Sequence, residues 1–151
     1  MPCHQVYLGL GSNLGDRASL LEQAIQLASE RVGQVIGRSS FIETEPWGYE
    51  SANRFLNGVI LCETRLTPRE VLEATQQMER ELGKRQEHAT RRDGQGTAYK
   101  DRPVDIDILL YDDLTVDEPD LKIPHPLMRE REFVMKPLRE IETKLNKKLK
   151  L

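Results

Sequence analysis

The chain has 151 residues, 38% of them hydrophobic and 31% charged, with a formal net charge of −3. That length and balance predict one domain spanning residues 1–151, large enough to bury a core without staples. A net acidic chain with a pI near 5.7 is a poor general nucleic-acid binder, and no apolar run approaches the length of about 18 residues that a membrane helix needs.

Two cysteines, Cys3 and Cys62, lack metal-ligand spacing, and the amino terminus is not signal-like, so a reducing cytoplasm is the expected setting. Val6 to Leu10 reads as a short apolar strand, and Gly-Leu-Gly-Ser-Asn-Leu-Gly-Asp (9–16) as its turn-rich exit. The glycines are spaced G-x-G-x-x-x-G and no Lys-Ser/Thr follows, so a tight strand-to-helix turn fits better than a dinucleotide or phosphate loop. Ser19 with Glu22 forms a capping-box signature. Leu20, Leu21, Ala24, Ile25, Leu27, Ala28 and Val32 then recur at helical spacing until Gly33. Residues 34–43 predict a strand with a bulge at Gly37. The breaker-rich connection 44–53 carries Trp47, which either touches a ligand or covers the core.

Residues 54–64 alternate as a long strand, with Phe55, Asn57, Val59 and Leu61 on one face and Leu56, Gly58, Ile60 and Cys62 on the other. Asn57 is the polar member of a face that should be buried, so its amide either ties down a neighbouring loop or reads a ligand edge. Thr67-Pro-Arg-Glu70 predicts a capped helix start, Val71, Leu72, Thr75, Met78 and Leu82 its buried stripe, and Gly83 its stop. Gln76 and Glu79 flank that stripe along one edge, where solvated surface is the default. Residues 84–102 carry six Lys/Arg against three acids, and within them residues 84–101 lack an apolar period. They read either as a long mobile loop that delivers cations to the next strand or as a disordered insertion.

That next strand, 104–110, puts Val104, Ile106 and Ile108 on one side and Asp105 and Asp107 together on the other. Two carboxylates about 7 Å apart amid apolar neighbours repel each other and lose hydration. Either a divalent cation relieves them, or they form an exposed face paired with lysines. With Arg102 just upstream, Mg²⁺ holding a polyphosphate is the natural chemistry. An acidic turn at 112–113 and a short strand at 114–116 follow. His125, rigidly displayed between two prolines, lies near Arg129 and Arg131 in sequence, and 139–151 is a basic amphipathic helix or frayed end. The element order predicts an α+β fold, a ferredoxin-like βαββαβ sandwich with extra C-terminal strand and helix elements. Two helices would cover one sheet face and loops the other, where a site would lie.

Five blocks occur in order: the 9–16 run, Ser-Ser-Phe-Ile-Glu-Thr-Glu-Pro-Trp-Gly (39–48), Phe-Leu-Asn-Gly (55–58), Asp-Arg-Pro-Val-Asp-Ile-Asp-Ile-Leu (101–109) and Ile-Pro-His-Pro (123–126). Together, over residues 5–140, they closely resemble the 6-hydroxymethyl-7,8-dihydropterin pyrophosphokinase family of folate biosynthesis. The resemblance implies transfer of the β,γ-pyrophosphoryl group of ATP to the hydroxymethyl oxygen of the pterin, releasing AMP. It implies that Asp105 and Asp107 hold two Mg²⁺ ions, with Arg102 and Arg131 alongside as catalytic cations. Thr44, Trp47, Phe55, Asn57 and Phe133 would form the pterin slot, the two phenylalanines stacking on its faces. Gln76, Glu79, Arg102, Ile108, His125 and Arg131 would bind ATP. The chain departs from the pattern at Glu45, where proline is more frequent, at Tyr99, which loosely matches an aromatic that is often tryptophan, and in a long 84–100 loop. Only small-molecule partners are implied, in a monomer or weak homo-oligomer. A ligand-binding regulatory module of the same fold, or a nucleic-acid domain using the basic loop, would leave Asp105, Asp107 and Arg102 without a shared purpose.

Overall fold

The computed structural model describes residues 3–44, 54–89 and 103–145, with side chains in the second segment described as far as residue 84. The elements are β1 (His4–Ser12), α1 (Arg17–Arg31), β2 (Gly33–Arg38), β3 (Ile42–Thr44), β4 (Phe55–Thr64), α2 (Pro68–Ala89), β5 (Asp105–Tyr111), β6 (Val116–Glu118), β7 (Leu121–Ile123), a 3-10 turn (Met128–Glu130) and α3 (Glu132–Lys144). The main sheet runs β2-β4-β1-β5 with antiparallel neighbours, and β3 pairs with the first residues of β4. With β1 and β4 central, this is the ferredoxin-like arrangement that the element order predicts.

Two apolar layers follow from the alternation along the strands. Leu8, Leu10, Ile60, Cys62, Ile106 and Ile108 pack with residues of α1 and α2. Tyr7, Val59, Leu61 and Leu109 pack with Val134, Met135, Leu138 and Ile141 of α3. Each fully buried Leu, Ile or Val stabilises the fold by roughly 1.5–3 kcal/mol. Burial pushes the Cys62 thiol up to about 12, so it behaves as a small core hydrophobe. No helix among the described residues is long and apolar enough to cross a membrane.

The start of α2 forms the predicted capping box: Glu70 N–H donates to Thr67 Oγ1 at 3.1 Å, and Thr67 N–H donates to Glu70 Oε1 at 2.9 Å. The start of α1 is different. Its N-cap is Asp16, whose carboxylate accepts the Ser19 N–H at 3.2 Å, after Gly15 turns the chain with φ 84°. Glu22 is thereby free to take both guanidinium nitrogens of Arg38 on β2, at 3.1 and 2.7 Å.

The expected single strand 34–43 is two strands. The bulge is present, as a register shift between Val35 and Gly37, but the strand ends at Arg38 and the chain leaves β4 after Ser39, whose N–H still donates to the Val59 carbonyl at 2.9 Å. Ser40 donates from both its N–H and its hydroxyl to Glu140 of α3, so the break docks that helix. α2 continues through Gly83 to Ala89, because a side chain at Gly83 would face open space and nothing there forces a turn. The proposed loop therefore begins as helix, and residues 90–102 lie outside the described residues. α3 starts at Glu132 and runs through Pro137, earlier than the predicted tail helix, and its buried stripe covers part of the second sheet face. That face is shared between a helix and the site rather than left to loops.

Two glycine substitutions separate these packing demands. Gly83→Ala should raise stability by about 0.5–1 kcal/mol in urea denaturation, the gain for alanine over glycine inside a helix. A loss would mean that Gly83 ends the helix after all. Gly33→Ala should cost roughly 1–3 kcal/mol, since its Cβ would sit 1.8 Å from the Glu63 carbonyl oxygen.

Candidate active site

Strand register assembles the site from the floor upward. Gly11 of β1 lies between Asn57 on β4 and Asp105 on β5, and Gly9 lies between Val59 and Asp107. Residues directly opposite on antiparallel strands point to the same face. Asn57, Asp105 and Asp107 therefore share the face on which α3 packs, at the end of the sheet where β1 finishes and β4 and β5 begin. A Cβ on Gly11 would stand 2.9 Å from Asn57 Oδ1 and 3.5 Å from the Phe55 ring, so glycine keeps a trough open between the amide and the carboxylates.

Asn57 is 5% exposed. Its Nδ2 donates to Thr44 Oγ1 at 2.8 Å, while Phe55 and Thr44 are cross-strand partners. The amide thus ties down the end of β3, the first of the two roles its position allowed, and its oxygen edges the trough over Gly11. Arg17 donates to Glu43 at 2.6 Å and to the Arg54 carbonyl at 2.8 Å, pinning β3 beside the start of β4. Nothing in the local pattern around Arg17 signals this clamp.

On the other side of the trough, Asp107 Oδ2 lies 4.0 Å from His125 Nε2 and 4.0 Å from Arg131 Nη1. The His125 backbone N–H donates to the Leu109 carbonyl at 3.0 Å, fixing the segment beside β5. Leu127 N–H donates to His125 Nδ1 at 3.3 Å, which leaves the proton of the neutral ring on Nε2, the atom facing Asp107. Burial holds the His125 pKa below its ordinary value, the Arg131 charge lowers it further, and Asp105 partly offsets both. Arg131 precedes α3, and its guanidinium carbon sits 5.5 Å from the Phe133 ring centroid.

From α2, Glu79 Oε2 accepts the Ile106 N–H at 2.7 Å, and Gln76 is exposed one turn earlier. The Ile108 side chain is in the core beneath α1 and α2, on the face opposite Asp107, so only its main chain is available to a ligand. Trp47, Arg102, Glu45 and Tyr99 lie outside the described residues. Asp105 and Asp107 are half-buried, and no group of three or more His, Cys, Asp or Glu gathers among the described residues. Two carboxylates on one face suit Mg²⁺, which takes one or two carboxylates and completes its octahedron with phosphate and water oxygens.

Residues 7–143 match the family model described as 7,8-dihydro-6-hydroxymethylpterin-pyrophosphokinase (HPPK). A Porphyromonas gingivalis 2-amino-4-hydroxy-6-hydroxymethyldihydropteridine pyrophosphokinase is 48% identical over 137 residues, covering 90% of this chain and 89% of that protein. The Bacillus subtilis enzyme of the same description is 41% identical over 136 residues, covering 89% and 76%. Among solved structures, an HPPK-DHPS in complex with substrates superposes with a TM-score of 0.71 at 14% identity. It matches 93% of this chain, which spans only 40% of that longer one. A wild-type Plasmodium falciparum HPPK-DHPS gives a TM-score of 0.66 at 16% identity, with 93% and 38% covered. These two likenesses are of fold.

The His125 environment has a measurable sign. Its ring should titrate below 6.5 in ligand-free protein by NMR, and Arg131→Ala should move the midpoint upward. Because the folded value is depressed, the stability His125 contributes is complete above about 6.5, its unfolded value, and is lost as pH falls through the folded value. An upward shift in the wild type would contradict the buried neutral ring.

Proposed function

The chain belongs to the 7,8-dihydro-6-hydroxymethylpterin-pyrophosphokinase family, and on that premise we propose how its own residues divide the work. The reaction is the Mg²⁺-dependent transfer of pyrophosphate from ATP to 6-hydroxymethyl-7,8-dihydropterin, giving the pterin diphosphate and AMP. The observation that carries the assignment of roles is the shared face of Asp105 and Asp107, with His125 and Arg131 beside the second of them.

Asp105 and Asp107 hold two Mg²⁺ ions. When bound, the metal neutralises phosphate charge and eases loss of the acceptor hydroxyl proton. Arg131 offers its guanidinium fork to phosphate oxygens, a bidentate match that lysine would not reproduce. His125 stays neutral near pH 7 and offers its Nε2–H to the same group or to the ribose, without adding a full charge. Thr44 and Asn57 form a hydrogen-bonded pair at the pterin edge, where the amide oxygen can read a donor of the bicycle. Phe55 and Phe133 stack on its two faces. Gln76 lies on the nucleotide side, with the main chain at Ile108, while Glu79 on the same helix accepts the Ile106 amide of the metal-binding strand. Arg102 and Trp47 join the phosphate and pterin groups respectively, a placement that rests on the resemblance alone. Alignment and charge neutralisation supply most of what phosphoryl transfer needs, so no general base is assigned. A cytoplasmic monomer or weak homo-oligomer completes the reading.

AMP should appear from ATP only when Mg²⁺ and the hydroxymethylpterin are both present. Asp107→Ala should lower turnover by at least about 100-fold while leaving the unfolding transition in place. A folded Asp107→Ala protein that works at the wild-type rate removes the metal assignment. Phe133→Ala should weaken pterin binding by about 1–3 kcal/mol in calorimetry, and unchanged affinity would discard the stacked slot.

A further inference from the structure

We propose that Glu79 is a positioning residue for the metal-binding strand, acting through the Ile106 amide rather than by touching the nucleotide. The inference rests on the assignment of Mg²⁺ to Asp105 and Asp107. Ile106 is the residue between those two aspartates, and its N–H donates to Glu79 Oε2 at 2.7 Å. β5 is the edge strand of the order β2-β4-β1-β5, so among the described residues its outer side has no strand neighbour in the main sheet, and Asp105 is its first residue. An edge strand is weakest at its ends, where few ladder bonds hold the backbone.

The Ile106 side chain is 6% exposed and sits in the core with Val71, Met78 and Leu82 of α2. The same helix thus grips this residue twice, by its side chain and by its amide. The neighbouring carboxylates repel each other whenever no cation lies between them, and that repulsion acts where the strand begins. A carboxylate acceptor on the intervening amide, carried by a 22-residue helix, resists the distortion. Glu79 therefore keeps Asp105 and Asp107 at the spacing of a regular strand before the metal arrives, which is preorganisation.

Glu79→Ala and Glu79→Gln separate the roles, because glutamine retains an acceptor for Ile106 and alanine does not. In ligand-free protein, Glu79→Ala should speed hydrogen exchange at the Ile106 amide by at least tenfold, leaving Val59 and Leu61 on β4 unchanged, while Glu79→Gln stays near wild type. In calorimetry with a non-hydrolysable ATP analogue, Glu79→Ala should need several-fold more Mg²⁺ at the midpoint, Glu79→Gln should recover most of that loss, and metal-free nucleotide binding should not change. If alanine unfolds the domain, Glu79→Leu fills the site without an acceptor and carries the same expectations. Unaltered Ile106 exchange overturns the proposal, as does a Gln variant as impaired as Ala, or an equal loss of metal-free nucleotide binding. A wild-type nucleotide affinity that Mg²⁺ does not raise above its metal-free value would sink the metal assignment and this proposal with it. The exchange experiment distinguishes that failure, since the tether would still register there.

Discussion

The site depends on the register of β1 between its two neighbours. A slip of one residue on either side would turn the whole set of side chains to the opposite face of the sheet. In the observed register, Gly11 is flanked by Asn57 and Asp105, and Gly9 by Val59 and Asp107. One feature of β5 keeps this row clear of the core. The pairing shifts between Tyr7 and Leu8, so that Leu109 is an extra residue, and Leu109 and Leu110 both pack in the α3 layer. Beyond the bulge the regular alternation resumes, carrying Ile108 and Ile106 into the other core layer and the two aspartates onto the open face.

The charges divide according to what they do. Arg31 with Glu81 joins α1 to α2, Arg38 with Glu22 joins β2 to α1, and Arg69 reaches Glu118 and Asp120 at the β6–β7 hairpin. All are partly or largely exposed, where an ion pair is worth about 0–1 kcal/mol, so they trim the assembly rather than hold it. The groups at the site are fewer and better screened from water. Arg131 and His125 both approach Asp107 to 4.0 Å, so the carboxylate is flanked by two nitrogen donors on the face it shares with Asp105. The neutral His125 lets hydrogen-bonding capacity accumulate there without adding a second full positive charge.

What was legible in the sequence is what local chemistry decides. Period-2 alternation put Asp105 and Asp107 on one face and Asn57 on a buried one, and the Thr67–Glu70 box marked a helix start that forms as written. The family resemblance over residues 5–140 and the family match over 7–143 cover nearly the same span. Where two local signals competed, the sequence was ambiguous. Asp16 and Ser19 are both good caps, and the left-handed turn at Gly15 selects the first. Gly83 looks like a helix stop and the tail helix reads as starting at residue 139, yet α2 runs on through Gly83 and α3 begins at Glu132 and passes through Pro137. The rest was invisible because its partners are remote in the chain. Ser40 meets Glu140, Arg17 meets Glu43, and Glu79 meets Ile106, none at a spacing that any local pattern encodes.

The central claim is that the cation sits on the Asp105–Asp107 face beside His125. Mn²⁺ in place of Mg²⁺, added with a non-hydrolysable ATP analogue, reports its position by paramagnetic broadening of NMR signals. The account predicts strong broadening of the Gly9, Gly11 and His125 signals. Those of His4 and Asp112, at the far end of β1 and β5, should stay sharp, and Asp105→Asn with Asp107→Asn should abolish the effect. Broadening centred instead on the acidic residues 112–120, or unchanged by the double substitution, would contradict it.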